Sequence, residues 1–261
     1  MTTADYLLLG KAPAQTVGLG FRNVEADVRV VQAHLVCAAL ETGREEYHPG
    51  PVDGVFGVGT GSAVEAFQRL HCWMTPDGWV SPHGATLRRL KALLAALNVE
   101  ATFPFRRSSG WDYRTGMRRF GANRSGGRAH AGADLYFPEG TEVLAVADGV
   151  VTGGPYYFYN GTYAIEVDHG PFLARYGEVQ RDTLARAGDR VERGQPIARV
   201  GHLQGLTLPS DMLHFELYDR TASGKLTQPT QTSARHPNGR TFRRRRDLLD
   251  PTPFLHRWPL P

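Results

Sequence analysis

Cysteine is scarce in this 261-residue chain, which has only Cys37 and Cys72. Two are too few for a disulfide-built scaffold. A single bridge in an oxidising compartment and two buried thiols both stay open, and the pair forms no zinc site by itself. Lysine is nearly as rare, at Lys11, Lys91 and Lys225. The net charge of +4 is therefore carried almost entirely by arginine. Long apolar runs are missing too. The opening "MTTADYLLLGKAPAQ" has no basic start and only three consecutive leucines, too short for a signal peptide or a membrane span. The expectation is a chain made in the cytoplasm, without an ordinary export signal and without membrane insertion. No internal repeat and no low-complexity tract is visible. What is present is ordinary globular material: 41% hydrophobic and 21% charged residues, with a length that suits about two domains. The mildly basic balance fits a polyanionic surface such as nucleic acid, membrane or cell wall, although a solvated surface accounts for it as well.

Residues 24–41, "VEADVRVVQAHLVCAALE", put Val24, Val28, Val31, Leu35 and Ala38 at helical spacing. "TGSAVEAFQRL" (60–70), with Thr60 as its N-cap, and "GATLRRLKALLAAL" (84–97) predict two more helices. Between the first two lies "HPGPVDGVFGVG", dense in Gly and Pro and read as a structured turn. After about residue 100 the character changes. "FPFRRSSGWDYRTGMRRFGANRSGGR" has no period and reads as a linker running into a long loop. Short β-branched runs follow, "TEVLAVADGVVTGG", "TYAIEVDHG", "FLARYGEV", "DRVERGQPIARVG" and "MLHFELYD", and they predict a set of strands. The tail 222–261 is polar and Pro-rich, and its "RRRR" at 243–246 is expected to be a solvated or wall-facing charge run. The expected fold class is α+β in two domains. An N-terminal arm (1–23) precedes a small three-helix domain (24–97), a linker (98–117), and an all-β antiparallel domain with its tail (118–261).

"DVRVVQAHL", "GPVDGVFGVGTGSAVEAFQ" and "PDGWVSPHGATLRRL" follow one another here. Together they resemble the bacterial peptidoglycan-binding domain of the three-helix type, over about residues 24–94. The most specific part is Asp53-Gly54-Val55-Phe56-Gly57 followed by Thr60, Ala63, Val64, Phe67 and Gln68, echoed by Asp77-Gly78 before the last helix. Asp53 and Gly54 suit a tight turn, and Phe56, Val64 and Phe67 read as core. The resemblance implies a shallow groove that holds wall peptide or glycan without catalysis.

"HAGAD" (130–134) sets His130 and Asp134 four apart, and "MLHFEL" (212–217) reads as a strand in which Met212, His214 and Glu216 share a face. Two imidazoles and a carboxylate leave a fourth tetrahedral position for water, the composition of a catalytic zinc site. Spacing alone also allows three unrelated polar residues, since the chain has ten histidines. The surrounding stretches resemble the lysostaphin/LytM-type zinc metallopeptidases over about residues 118–219. The likeness rests on His130, Gly132 and Asp134; on Ala145, Gly149 and Val151; on Gly188, Val191, Gly194 and Ile197; and on the Leu213-His214-Phe215-Glu216 end. It implies Zn2+ on His130, Asp134 and His214, and cleavage of amides in peptidoglycan stems or cross-links. Glu216 is expected to orient a ligand histidine, with a solvent-facing or ion-paired acid as the other reading. His202 is a candidate to swing toward the site, and His169 reads as structural. Arg124 and Arg175 are candidates to steady an oxyanion or a substrate carboxylate.

The chain departs from that family at two places. The family's Tyr-x-His-Leu stretch is Tyr176-Gly177-Glu178-Val179 here, and the first histidine of His-x-His is Met212. In one reading Glu178 takes over as general base. In the other, the domain is a catalytically degenerate relative that binds wall without cutting it. Retention of all three ligand positions favours the first. The hairpin "GDRVERGQPIARVG" also resembles lipoyl- and biotin-carrier domains, but those need a lysine on the turn, and none lies between Lys91 and Lys225. A nucleic-acid binder would be held on DNA with a steep salt dependence, and nucleic acid is not an expected partner. The expectation is a zinc-dependent endopeptidase whose partner is peptidoglycan. An antibacterial effector, served by a secretion apparatus and met by an immunity protein, or a phage-type lysin would account for its delivery.

Overall fold

The computed structural model describes residues 2–72 and 75–261. Helices α1 (Thr3–Tyr6), α2 (Glu25–Thr42), α3 (Val58–His71) and α4 (Ala85–Leu97) precede the strands, and α5 (Thr252–Arg257) follows them. Helices α2 to α4 lie where the apolar spacing predicts them. The start of α3 differs: Gly57 is its N-cap and Thr60 lies inside the first turn. The Thr60 hydroxyl instead accepts from Gln32 Nε2 at 3.3 Å.

That bond is part of an internal repeat that the spacing hides. Gln32 Oε1 accepts from the Gly54 N–H at 2.9 Å, while its Nε2 donates to Asp53 Oδ1, Val55 O and Thr60 Oγ1. Gln68 does the same one helix later. Its Oε1 accepts from the Asp77 and Gly78 N–H groups at 3.0 Å, and its Nε2 donates to Asp77 Oδ1, Trp79 O and Thr86 Oγ1. Each Asp-Gly turn is thus pinned between a buried glutamine of the preceding helix and a threonine of the following one. With both amide ends satisfied, neither glutamine carries a desolvation penalty.

The N-terminal arm is tied down. Val17 is fully buried and bridges Val80, and the Ala14 and Gln15 N–H groups donate to Asp27. Met1 of that arm lies outside the described residues. The first part of the expected linker is also core. Phe103 and Phe105 are buried, Phe105 stacks on Phe137 at 3.8 Å, and the backbone bonds Thr102 N–H to Val146 O and Leu144 N–H to Pro104 O. Two aromatic anchors make this stretch part of the β region's packing, although it has no period of its own.

The strands are β1 (Asn123–Arg124), β2 (Arg128–Ala129), β3 (Ala133–Tyr136), β4 (Glu142–Leu144), β5 (Gly149–Tyr159), β6 (Thr162–Asp168), β7 (Leu173–Val179), β8 (Arg190–Val191), β9 (Pro196–Arg199), β10 (Met212–Tyr218) and β11 (Leu248–Leu249). The main sheet runs β11-β10-β7-β6-β5-β8, with β3 beside the first half of β10. Its pairings are antiparallel. The architecture is therefore α+β, helical region first and antiparallel sheet second. One apolar cluster runs from Val28 and Leu35 on α2 through Phe105 to Leu213 and Phe215 on β10. The buried Arg89 of α4 ion-pairs with Asp219, just past β10, at 2.7 Å, and donates to Leu248 O on β11.

The tail is folded. Phe120 stacks on Phe242 at 4.8 Å in a satellite core with Tyr218, Leu226 and Leu248. The arginine run at 243–246 is accordingly not a simple solvated stretch. Arg245 is buried on a bidentate bond to Asp247 at 2.7 and 2.8 Å, and Arg244 reaches Glu216. Cys37 and Cys72 are free thiols. Among the described residues no helix is long and apolar enough to cross a membrane.

Candidate metal centre

The register of β10 assembles the centre. His214 pairs directly with Asp134 on β3 and with Gly177 on β7, and His130 lies one turn of chain before β3. The pairing brings three donor atoms together. His130 Nε2 is 2.9 Å from Asp134 Oδ1, His214 Nδ1 is 2.9 Å from the same oxygen, and the two ring nitrogens are 3.0 Å apart. Gly132 permits this approach, because a Cβ there would sit 2.4 Å from Phe215 O and 2.9 Å from the His214 ring.

Each imidazole is anchored through its outer nitrogen. His130 Nδ1 donates to Arg119 O at 2.9 Å, and His214 Nε2 donates to Glu216 Oε1 at 2.9 Å. These bonds fix the tautomers and turn the inner lone pairs toward Asp134. Asp134 Oδ2 is taken by Arg124 at 2.9 Å, which leaves Oδ1 facing inward. Three acceptors therefore converge. One proton can be shared with one neighbour at a time, whereas a dication satisfies all three. The donor separations approach the ~3.3 Å edge of a tetrahedral ion with bonds of ~2.0–2.1 Å. The residues fit zinc.

The electrostatics agree. Burial holds His130 below the usual imidazole range, the neutral form a ligand needs. Burial alone would depress His214 too, but its hydrogen bonds to Asp134 and Glu216 override that and push it up to about 9. In the absence of a cation, a proton stands in that corner. Despite burial, Asp134 lies below the usual carboxylate range because of the adjoining His130 and His214.

Glu178 reaches the centre by a break in the strand. On the β6–β7 ladder Tyr163 faces Val179 and Ala164 faces Gly177, so Glu178 is the extra residue of a bulge. Its φ is 63°, a conformation that costs a side-chain-bearing residue ~1 kcal/mol. A regular strand would send Glu178 to the core face with Tyr176; the bulge lets it line the groove instead. Among the described residues its Oε2 is buried without a hydrogen-bond partner. Burial, reinforced by the Asp134 charge, pushes the carboxyl up to about 8.

The groove has a volume of about 520 Å³ and is lined by Arg124, Arg128, Met212 and the aromatic stretch Tyr156–Tyr159, among others. Met212 is buried opposite Tyr136, on the strand face of His214. Glu216 is fully buried and accepts from His214 Nε2. Two other sequence expectations are corrected. Arg175 is not at the groove: it is 2% exposed, and its guanidinium is committed to Glu216 and Glu166 at 3.1 Å. Strand alternation places it beneath the aromatic wall. His202 has a side chain 60% exposed, bonded to Asp211 at 3.3 Å, and does not line the groove. With Glu139 and Asp211 it forms a loose surface group. His169 is structural, bonded to Asp148 O and the Tyr176 hydroxyl. Sequence reasoning missed Arg244 and Phe158. No local signal singles out one arginine of four. Phe158 packs 5.6 Å from His214.

A profile of peptidase family M23 matches residues 128–229, the stretch that holds His130, Asp134, Glu178 and His214. Residues 128–229 form an M23 domain. A profile described as "Putative peptidoglycan binding domain" matches residues 24–97, which include both Asp-Gly turns. Among curated proteins, the chain is 36% identical over 89 residues to "Peptidoglycan DD-endopeptidase ShyC" of Vibrio cholerae, covering 34% of this chain and 20% of that one. It is 36% identical over 102 residues to "Murein hydrolase activator EnvC" of Escherichia coli, covering 39% and 23%. The chain thus spans about a quarter of these relatives or less. Solved structures similar to it include lysostaphin from Staphylococcus simulans, 20% identical with TM-score 0.42 over 60% of this chain and 55% of that one. LytU is 23% identical with TM-score 0.39 over 59% and 94%.

Proposed function

We propose that the chain is a zinc-dependent endopeptidase that hydrolyses amide bonds of peptidoglycan stems or cross-links, with residues 24–97 holding it on the wall. The observation that carries this is the convergence of His130 Nε2, His214 Nδ1 and Asp134 Oδ1 within 3.0 Å, each with its outer atom anchored. The adjoining wall-binding match supports the substrate. Zinc, when bound, supplies Lewis acidity and lowers the pKa of a water.

The chain's own residues do the rest. Glu178 takes a proton on its unpartnered Oε2. Buried in the groove wall, its carboxyl has an affinity for protons suited to exchange near neutral pH. Arg124 holds Asp134 in place. The tyrosines of β5 and Phe158 wall the groove and exclude water from a bound peptide. Arg128 lines the groove with no carboxylate among its bonds to the described residues, and it is a charge available to a carboxylate of a stem peptide. The same proposal has the chain acting on wall outside the cytoplasm, as an antibacterial effector or a phage-type lysin.

Met212 favours a second reading. A thioether carries no proton, and one relative is named an activator rather than a hydrolase. The deciding experiment is mass spectrometry of muropeptides after purified sacculi are incubated with zinc-loaded protein. New amino termini, absent with His214→Ala, are expected. Stoichiometric zinc without new termini would leave a wall-binding protein of the same fold.

A further inference from the structure

We infer that Arg244, from a segment beyond the matched M23 region, is a positioning residue for the metal centre, acting through Glu216 on His214. The inference rests on the reading that these donors hold a metal. The M23 match ends at residue 229, and Arg244 follows within a folded tail. Its backbone is clamped from both sides. Arg244 forms a bridge with Thr227, its N–H donates to Ser233 Oγ, and its carbonyl accepts from the Ala234 N–H. Phe242 and Ala234 anchor this segment in the satellite core.

From there the side chain has one direction to go. Arg244 Nε donates to Glu216 Oε1 at 2.7 Å, and its guanidinium lies 5.9 Å from the Phe158 ring. Arg175 takes the other oxygen, donating to Glu216 Oε2 at 3.1 Å, where the Tyr218 hydroxyl also donates. Each carboxylate oxygen is thus held by its own arginine. Glu216 Oε1 is the atom that accepts from His214 Nε2. Without Arg244 that oxygen keeps the histidine alone, and the carboxylate is free to turn about its Oε2 anchor. The His214 ring then loses the constraint that aims Nδ1 at Asp134. An effect of the run's net charge alone would not depend on which of its arginines is removed. A positioning role does.

The experiment measures zinc affinity by competition with a chromogenic chelator for the full chain and for Arg244→Ala, Arg244→Lys and Arg243→Gln. Far-ultraviolet circular dichroism and melting of the metal-free proteins establish that each variant is folded. Loss of a group bonded directly to a ligand weakens metal binding about 10–100-fold; Arg244 acts one step further out, through Glu216, and a weakening at the low end, roughly tenfold, is expected for Arg244→Ala. Arg244→Lys should recover part of the loss, since an ammonium can reach one oxygen. Arg243→Gln, which removes the same charge from the exposed neighbour, should bind as the unaltered chain does. Unchanged affinity in folded Arg244→Ala overturns the inference, and so does equal weakening in Arg243→Gln. If Arg244→Ala does not fold, Arg244→Lys decides alone: affinity equal to the unaltered chain sinks the geometric requirement. An unaltered chain that binds no zinc overturns the metal-centre reading, and the inference with it.

Discussion

Replacing Glu178 by glutamine should separate stability from activity. The carboxyl is raised from its ordinary 4.5 to about 8 by burial, with the Asp134 charge adding to it. At ~1.36 kcal/mol per unit this is a handicap of about 5 kcal/mol when fully expressed, of which about 3 kcal/mol is present at pH 7. The sign follows from linkage. The folded carboxyl binds its proton more tightly than the unfolded one, so its contribution is intact below pH 4.5 and is lost as pH rises toward 8. Glutamine has the same shape and no proton to hold. The strained backbone at residue 178 is common to both chains and cancels. In metal-free protein, Glu178→Gln should therefore match the unaltered chain near pH 4.5 and gain steadily above it. The gain near pH 7 is several degrees of melting temperature, at roughly 2–4 °C per kcal/mol for a chain of this size. Hydrolysis of sacculi by the zinc-loaded variant should fall by about 10²–10⁴, the usual contribution of a positioned base. Near-wild-type hydrolysis would remove Glu178 from the proton-handling role. A melting difference that does not change with pH would refute the buried, unpartnered carboxyl.

Other outcomes follow from neighbouring features. His169 is held down to about 4 by burial, so its contribution is present above pH 6.5 and lost as pH falls through 4. Urea unfolding of His169→Gln and the unaltered chain should converge by about 3 kcal/mol over that range, and a constant gap would refute the assignment. Gly132→Ala puts a Cβ against Phe215 O and the His214 ring, and zinc titration should show weaker binding; an unchanged dissociation constant would mean that the strands give way without cost. Arg128→Ala should raise KM for carboxylate-bearing muropeptides about fivefold with kcat unchanged, as for loss of one ~1 kcal/mol exposed charge contact. A drop in kcat alone would place Arg128 elsewhere in the reaction.

Spacing alone left His130, Asp134 and His214 open as a set, and the family resemblance named them; in the structure antiparallel pairing is what brings them together. His130 to Asp134 is a four-residue step, and His214 meets Asp134 by direct register. Glu178 was readable as a residue but not as a direction. Its entry into the groove depends on one left-handed residue in β7, and glutamate has no propensity that announces it. Arg175 was misplaced for the converse reason: on a regular stretch of the same strand it faces a buried pair of carboxylates rather than substrate. The echo of Asp53-Gly54 in Asp77-Gly78 is visible in the sequence, but the shared glutamine bonding is not, because Gln32 precedes its turn by a long loop and Gln68 by a short one. Bonding repeats there, and spacing does not. Arg244 was hidden by its own neighbours, since four identical residues differ only in what the folded tail makes of them.

The ion pair between Arg89 and Asp219 bears on how freely the two matched regions can be recombined. Asp219 is fully buried in side chain and follows directly on the strand that carries His214, while Arg89 belongs to the last helix of the region 24–97. A swap of residues 24–97 for a different module would strand that carboxylate without its guanidinium. Removing one partner of a buried pair costs about 3–5 kcal/mol, comparable to the whole stability of a small domain. A chimera built from the M23 domain therefore needs Asp219 altered to asparagine, or an arginine supplied at the new junction, before its specificity can be retargeted.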